Sequence, residues 1–188
     1  MIETERLILR PFVKEDASDL FEYLKEPEVN CFACMKINSS EDAVKEALKR
    51  GEDKEFYFAI VLKENGKVIG EMDAYPESTG PEGGVKDTFS PCWMLNKAYK
   101  GKGYAYEAAR AFFDYLFSQK GARRIYAYTE DYNIACQRLC EKLGMRREGV
   151  FYEFVSFVND EKGEPIYENT MQYAILKKEF YAHTEGKS

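Results

Sequence analysis

From Thr4 to Phe12 the apolar residues Leu7 and Leu9 are set between Arg6 and Arg10, a strand pattern closed by Pro11. Ala17, Leu20, Phe21 and Leu24 recur at helical spacing between Lys14 and Lys25, ahead of Pro27. Asn38-Ser39-Ser40 offers caps for a second helix over Glu41 to Arg50, with Gly51 as its stop. Glu55 to Leu62 (EFYFAIVL) reads as a buried strand, turned at Lys63-Glu64-Asn65-Gly66 into a returning strand over Lys67 to Tyr75. Pro76 to Gly84 reads as a loop. Thr88 to Asn96 reads as a strand interrupted by Pro91, which has no N–H for a ladder.

The second half is equally patterned. Ala105, Ala108, Ala109, Phe112 and Leu116 form a helical stripe ended by Gly121, followed by a strand from Arg124 to Glu130. Asn133 to Leu143 predicts a helix with Cys136, Leu139, Cys140 and Leu143 on one face and Gly144 as its cap. Strands near Arg146 to Val158 and Tyr167 to Leu176 follow, separated by a polar turn. No repeat, low-complexity segment or linker interrupts the order. The expectation is one α+β domain over residues 1–180, with residues 181–188 as a polar tail.

Composition narrows the function classes. With 188 residues, 45% hydrophobic and 15% aromatic, the chain can bury a sizeable core. A net charge of −6, from 27 basic and 33 acidic residues, argues against a general nucleic-acid or membrane-surface binder. There is no apolar run long enough for a membrane span, and MIETERLILRPF lacks the apolar core of a signal peptide. Five cysteines, an odd number, fit reduced thiols of the cytoplasm better than a disulfide framework. Cys31 and Cys34 make a single CxxC with no nearby histidine, since the one histidine is His183, so no metal site is expected.

One segment stands apart. Lys97 to Phe117 (KAYKGKGYAYEAARAFFDYLF) puts three lysines and two glycines directly before a good helix. Helix starts leave N–H groups unpaired and carry partial positive charge, so this composition suits an anion, most often a phosphate. The GxxxxGK[ST] spacing of a P-loop is absent, and so is the third glycine of a dinucleotide fingerprint. Taken alone, the glycines serve equally well as a simple turn.

Four passages carry a more specific signal: ETERLILRPF, WMLNKAYKGKGYAYEA, NIACQRLCEKLGMRREG and ENTMQYAILKKE. In these passages and in element order the chain resembles the GNAT acetyltransferase superfamily, most closely its RimJ/RimL-like branch, which includes ribosomal-protein N-terminal acetyltransferases. The resemblance implies a mixed α/β fold: a central twisted, mostly antiparallel sheet with about four helices, splayed at the acetyl-CoA site. It also implies acetyl-CoA as co-substrate, no metal, and a primary amine on a peptide or small molecule as acceptor. Nucleic acid and membrane are not expected as partners, and the chain would be a monomer or homodimer.

Residue by residue, the family's glycine segment Q/R-x-x-G-x-A/G corresponds to Lys100-Gly101-Lys102-Gly103-Tyr104-Ala105, with lysine in the first position. Its backbone amides would hold the cofactor's pyrophosphate. Trp93, Met94 and Leu95 would hydrogen-bond the pantetheine arm, the Trp93 side chain itself packing in the core. Asn133 matches a family cofactor contact and suits an N-cap as well. Many members protonate the leaving thiolate with a tyrosine, or carry a serine earlier in the same helix; here those positions are Cys140 and Cys136. Cys136 is then a cofactor contact and candidate acid, with water as its rival, and Cys140 a core residue. Glu153 is the candidate base, with Glu71 and Asp73 as rivals; Glu107 suits the helix dipole alone. Glu77 and Glu82 hint at a cationic acceptor. The departures at Cys136 and Cys140 leave a second possibility, a catalytically weak acyl-CoA-binding protein on the same fold.

Overall fold

The structure, a computed structural model, describes residues 1–79 and 84–185, and among these the chain forms eight strands and five helices. The first half contains β1 (Ile2–Glu3), β2 (Leu7–Arg10), α1 (Ala17–Leu24), α2 (Ser40–Glu52), β3 (Tyr57–Leu62), β4 (Val68–Thr79) and β5 (Val85–Leu95). Then come α3 (Tyr104–Gln119), β6 (Arg124–Glu130), α4 (Ile134–Lys142), β7 (Arg146–Asn159), β8 (Pro165–Leu176) and α5 (Lys177–Glu185). The strands join in the order β1-β2-β3-β4-β5-β6-β8-β7. The pairs β1–β2, β2–β3, β3–β4, β6–β8 and β7–β8 are antiparallel, and β5–β6 is parallel. The expected mixed α/β, mostly antiparallel sheet is present.

One compact unit comprises Met1–Glu28, Cys34–Ala74 and Cys92–Tyr115. Its core is the apolar stripe of each element: Leu7 and Leu9, Leu20 and Leu24, Phe58 and Ile60, and Ala108, Ala109 and Phe112. Leu7 pairs with Leu62 and Leu9 with Ile60 across β2 and β3. The Phe58 and Phe112 rings meet edge-on at 5.7 Å, an arrangement that adds to the roughly 1.5–3 kcal/mol that burying such a side chain contributes. Ser39 caps α2, its hydroxyl accepting from the Asp42 N–H at 3.1 Å.

The helix expected to stop at Gly51 runs through it to Glu52. Gly51 serves close approach: a Cβ there would lie 2.4 Å from the Phe12 carbonyl oxygen. Gly70 plays the same part in β4, where a Cβ would lie 2.3 Å from the Met94 oxygen. Asn96 N–H donates to the Ile69 carbonyl at 2.8 Å beside it.

The other unit comprises Val29–Ala33, Tyr75–Pro91 and Leu116–Ser188. Its core holds Phe89, Phe117, Ile125, Leu143, Tyr173 and Phe180. β6 pairs with β8 along its whole length, from Arg124–Leu176 to Glu130–Thr170. Two proline readings are corrected here. β4 continues past Pro76 to Thr79, with the Tyr126 hydroxyl donating to Glu77 at 2.7 Å, so Pro76 opens no loop; residues 80–83 lie outside the described residues. β5 likewise runs unbroken through a buried Pro91, whose missing N–H falls just beyond the β5–β6 pairs at Thr88 and Phe89. Residues 181–185, expected as tail, continue α5, which Phe180 anchors on Phe117 at 5.2 Å; residues 186–188 lie outside the described residues. That helix brings the count to five, where about four were expected.

Replacing Gly70 with alanine should force backbone apart in the first unit. The expected cost is about 1–3 kcal/mol, as for other overpacked sites, and a melting temperature lower by roughly 2–12 °C for a chain of this size. Scanning calorimetry of Gly70→Ala beside a control such as Gly149→Ala, where a Cβ would meet only ordinary contact at 3.5 Å, checks this; equal, small shifts would refute the close-approach role.

Candidate active site

In the first unit β5 ends in Trp93, Met94 and Leu95. The Trp93 ring lies 6.3 Å from Phe113 and Met94 is buried. Asn96 then accepts from the Ala98 N–H at 3.0 Å and opens a 3-10 turn over Lys97–Tyr99. Gly101 and Gly103 follow with φ of 75° and 84°, left-handed values that favour glycine. A Cβ on Gly101 would meet no atom within 4 Å, so the backbone there is open to a ligand. α3 begins at Tyr104, and the N–H groups of its first turn have no partner within the helix. An amide-rich, open helix start of this kind fits a phosphate-bearing group.

What holds this loop was not apparent from the sequence. The Glu107 carboxylate accepts from the Thr4 hydroxyl at 2.6 Å, the Arg6 N–H at 2.8 Å and Arg6 Nε at 2.7 Å. Arg6 Nη1 donates in turn to the Lys102 carbonyl at 3.1 Å, and its guanidinium lies 4.5 Å from the Tyr104 ring centroid. Burial works to raise the Glu107 carboxyl, but the bonds from Thr4 and Arg6 outweigh it and hold the group below the usual carboxylate range. Glu107 therefore does more than answer the helix dipole: it ties α3 to the N-terminal segment. The lysines are also engaged. Lys100 forms an ion pair with Glu28, and Lys102 Nζ lies 5.2 Å over the Tyr99 ring. Ala105 is half-buried at the start of the stripe.

β4 carries the two rival acids, and the structure separates them. Glu71 is buried and accepts from the Tyr23 and Tyr57 hydroxyls at 2.8 and 2.9 Å. Arg50 Nη2 stands 3.5 Å from the same carboxylate, and Arg50 Nε donates to the Tyr57 hydroxyl at 2.8 Å. Burial pushes the Tyr23 phenol well above its ordinary value, and Glu71 adds to the effect. Two residues along the same strand face, Asp73 has its carboxyl pushed up to about 7 by burial and by the neighbouring Glu71, against the opposing pull of Arg50. Glu71 is saturated; Asp73 titrates where a general base is useful.

In the second unit Asn133 is the N-cap of α4, its side-chain oxygen accepting from the Cys136 N–H at 3.2 Å. Cys136 is half-buried, and Cys140, one turn on, is buried with its thiol held well above the ordinary range by a hydrogen bond with Cys136 and by burial. Glu153 is exposed at a bulge in β7, at a φ of 49°, and its N–H donates to the Asn169 side chain at 3.0 Å. Glu77 is occupied by Tyr126, and Glu82 lies outside the described residues. Cys31 and Cys34 belong to a 3-10 turn over Asn30–Met35.

A family model described as an acetyltransferase (GNAT) domain matches residues 6–146. The chain belongs to the GNAT acetyltransferases. The uncharacterized N-acetyltransferase YnaD of Bacillus subtilis is 31% identical over 95% of this chain and 98% of its own length. A GNAT-family acetyltransferase structure from Bacillus anthracis is 29% identical, with a TM-score of 0.79 over 95% of this chain and 99% of that one. The ribosomal-protein-S5-alanine acetyltransferase of Vibrio fischeri shares 19% identity and a TM-score of 0.69 over 95% of this chain and 97% of that one, a likeness of fold alone. The GNAT chain is accordingly an N-acetyltransferase, an acyltransferase by reaction class. GNAT acetyltransferases use acetyl-CoA as co-substrate, and the residues at the start of α3 fit its diphosphate.

Because Glu107 and Arg6 fasten the glycine loop, Glu107→Ala should weaken CoA binding several-fold and lower the melting temperature by several degrees. Glu107→Gln, which keeps an acceptor for Thr4, should recover part of both. Titration calorimetry with CoA on the three proteins checks this, and unchanged affinity in Glu107→Ala would refute the anchoring role.

Proposed function

We propose that this acetyltransferase moves the acetyl group of acetyl-CoA directly to a primary amine on a peptide N-terminus or small molecule. The observation that carries the reading is Asp73, a half-buried carboxyl pushed up to about 7, in the same unit as the open helix start at Gly101. In this reading the amides of Gly101 to Ala105 hold the pyrophosphate, with Lys100 and Lys102 beside them. The backbone of Trp93, Met94 and Leu95 holds the pantetheine arm and polarises the thioester oxygen. Asn133 and Cys136 are assigned to the cofactor on the resemblance alone.

An amine is protonated at neutral pH and must lose a proton before it attacks. Asp73, half-ionised near pH 7, accepts that proton in this reading, and Glu153, exposed on β7, is the rival base. The amine nitrogen then bonds to the acetyl carbon as the carbon–sulfur bond breaks, and the second proton that nitrogen sheds on becoming an amide passes by way of water or the Cys136 thiol to the departing thiolate. The RimJ/RimL-like sequence passages favour a peptide N-terminus as acceptor, with a small amine as the alternative. One observation favours the weaker, binding-only reading: Cys140, at the family's tyrosine position, is buried with its thiol held well above the ordinary range.

Two measurements test the proposal. Acetyl-CoA at a hundred times its dissociation constant should add about 2.7 kcal/mol of stability, or roughly 5–10 °C in melting temperature, with little effect from ATP or NAD. No shift with acetyl-CoA or CoA would refute the cofactor assignment, and a shift without turnover on any amine would select the binding-only reading.

Asp73→Asn should lower kcat/KM by roughly 10²- to 10⁴-fold, the usual range for a general base. The wild-type acid limb, with its midpoint at about 7, should vanish with it. Stability gives a second readout. A carboxyl raised in the folded state holds its proton there longer than in the unfolded chain, so its contribution is full below about 3.8 and is lost as pH rises through about 7. Denaturant unfolding of Asp73→Asn should lack that decline; retained activity with an unchanged pH profile would exclude Asp73 as the base.

A further inference from the structure

In the second unit the pairing of β6 with β8 gathers aromatic and acidic side chains on one face. Tyr128 pairs with Gln172 and Glu130 with Thr170, so these four share a face, with Tyr126 and Glu168 two residues along their strands. β7 extends it, since Phe151 pairs with Thr170. The Tyr128 ring lies 6.2 Å from Phe151 and 5.8 Å from Phe154, whose own centroids are 5.1 Å apart. Packed on one another, Tyr128, Phe151 and Phe154 are still 44%, 37% and 51% exposed.

The charge beside these rings has one sign. Glu130 and Glu168 are both buried, and their partners are neutral. Glu168 accepts from the Asn30 side-chain amide and, at 3.2 Å, from the Tyr132 hydroxyl; Glu130 accepts from the Asn133 amide at 3.4 Å. Glu71, equally buried, has Arg50 at 3.5 Å, whereas among the described residues no cation is paired with Glu130 or Glu168. Burial pushes the Tyr132 phenol up to about 12 against the pull of the Asn30 N–H, and Glu130 and Glu168 both add to the rise, so the two carboxyls converge on one hydroxyl. Burying carboxyls against neutral donors is costly, and a bound cation offsets that cost. Aromatic faces attract cations as well: Arg124, held by Glu148 at 3.0 Å, lies 5.9 Å from the Tyr126 ring centroid. Beyond it Glu77 takes the Tyr126 hydroxyl and adds a further acid.

The size of the surface selects its occupant. The open parts of the three rings amount to on the order of 250 Å², about what one aromatic side chain buries. That is well short of the ~800 Å² on one side of a protein interface. One aromatic body joined to a positive charge fits both the area and the sign. We propose that this face binds the acceptor as an arylalkylamine, its ring on Tyr128, Phe151 and Phe154 and its charge drawn by Glu130 and Glu168. The inference rests on the acetyl-transfer reading and chooses, between its two acceptors, the small amine.

Titration calorimetry with 2-phenylethylamine, ethylamine and 3-phenylpropionate, on the protein with and without CoA, tests ring and charge separately. 2-Phenylethylamine should bind roughly tenfold more tightly than ethylamine, and Tyr128→Ala and Glu168→Gln should each weaken it by roughly tenfold. Phe154→Leu, which alters an exposed ring, should weaken it several-fold with an unchanged melting temperature. 3-Phenylpropionate, with the ring but the opposite charge, should not bind. Equal affinity for the two amines, binding of the anion, or variants that bind like the wild type would overturn the proposal. Acetylation of peptide N-termini with 2-phenylethylamine left unbound would overturn it too, while acetyl transfer stood. Binding that depends on Tyr128 and Glu168, with no amine acetylated at all, would uphold the face and refute the transfer reading instead.

Discussion

Burial of the Glu71 carboxylate constrains four elements of the first unit at once. A buried charge must be answered by hydrogen bonds or an opposite charge. Here the answers come from Tyr23 on α1, Arg50 on α2 and Tyr57 on β3, all meeting a residue of β4. Such a cluster is a modest source of net stability, since desolvation offsets much of its attraction, but it admits few alternative arrangements. Shifting any one of the four elements would strand a charge or a hydroxyl in an apolar interior. The titration of Asp73 follows from the same cluster. A second carboxylate two residues from Glu71, itself half-buried, cannot ionise as freely as an isolated one, and Arg50 is already committed.

Much of this fold was legible because period and punctuation agree in most segments. β6 matches its pattern from Arg124 to Glu130, and Asn133 is the cap its residue type suggests. The misreadings came from residues whose local meaning was overruled by neighbours distant in sequence. Gly51 reads as a helix stop, yet it is in the helix because the Phe12 carbonyl passes 2.4 Å from where a side chain would begin. Pro76 and Pro91 read as breaks, yet both sit inside strands. No window of sequence contains those partners.

The candidate site divides along the same line. The glycine loop was legible because its chemistry is local: two glycines at positive φ before a helix start. Choosing among the acids was not, because the proposed choice of Asp73 rests on packing. Glu71, Asp73 and Glu153 are all strand acids in the sequence, and only the packing makes one saturated, one tuned toward neutrality and one solvated. The Arg6–Glu107 anchor escaped for the reason Gly51 did, since its members lie 101 positions apart.

In the proposed reading, the charges around the glycine loop leave most of the holding to the backbone. Lys100 faces Glu28 and Lys102 lies over Tyr99, so neither ammonium awaits an anion with its full charge unspent. A half-exposed ion pair is worth about 0–1 kcal/mol, which leaves Lys100 able to exchange a carboxylate for a diphosphate of higher charge, but with little net gain. The amides of Tyr104 and Ala105 precede the first bond of α3, which the Glu107 N–H makes to the Gly103 carbonyl. Their dipole is aimed by the helix, and the helix by Glu107 and Arg6, so the preference for an anion is built into the fold before any side chain moves. Lysine in place of the family's glutamine or arginine is tolerable on that account: two-point geometry is lost at a position where geometry is already supplied by the main chain.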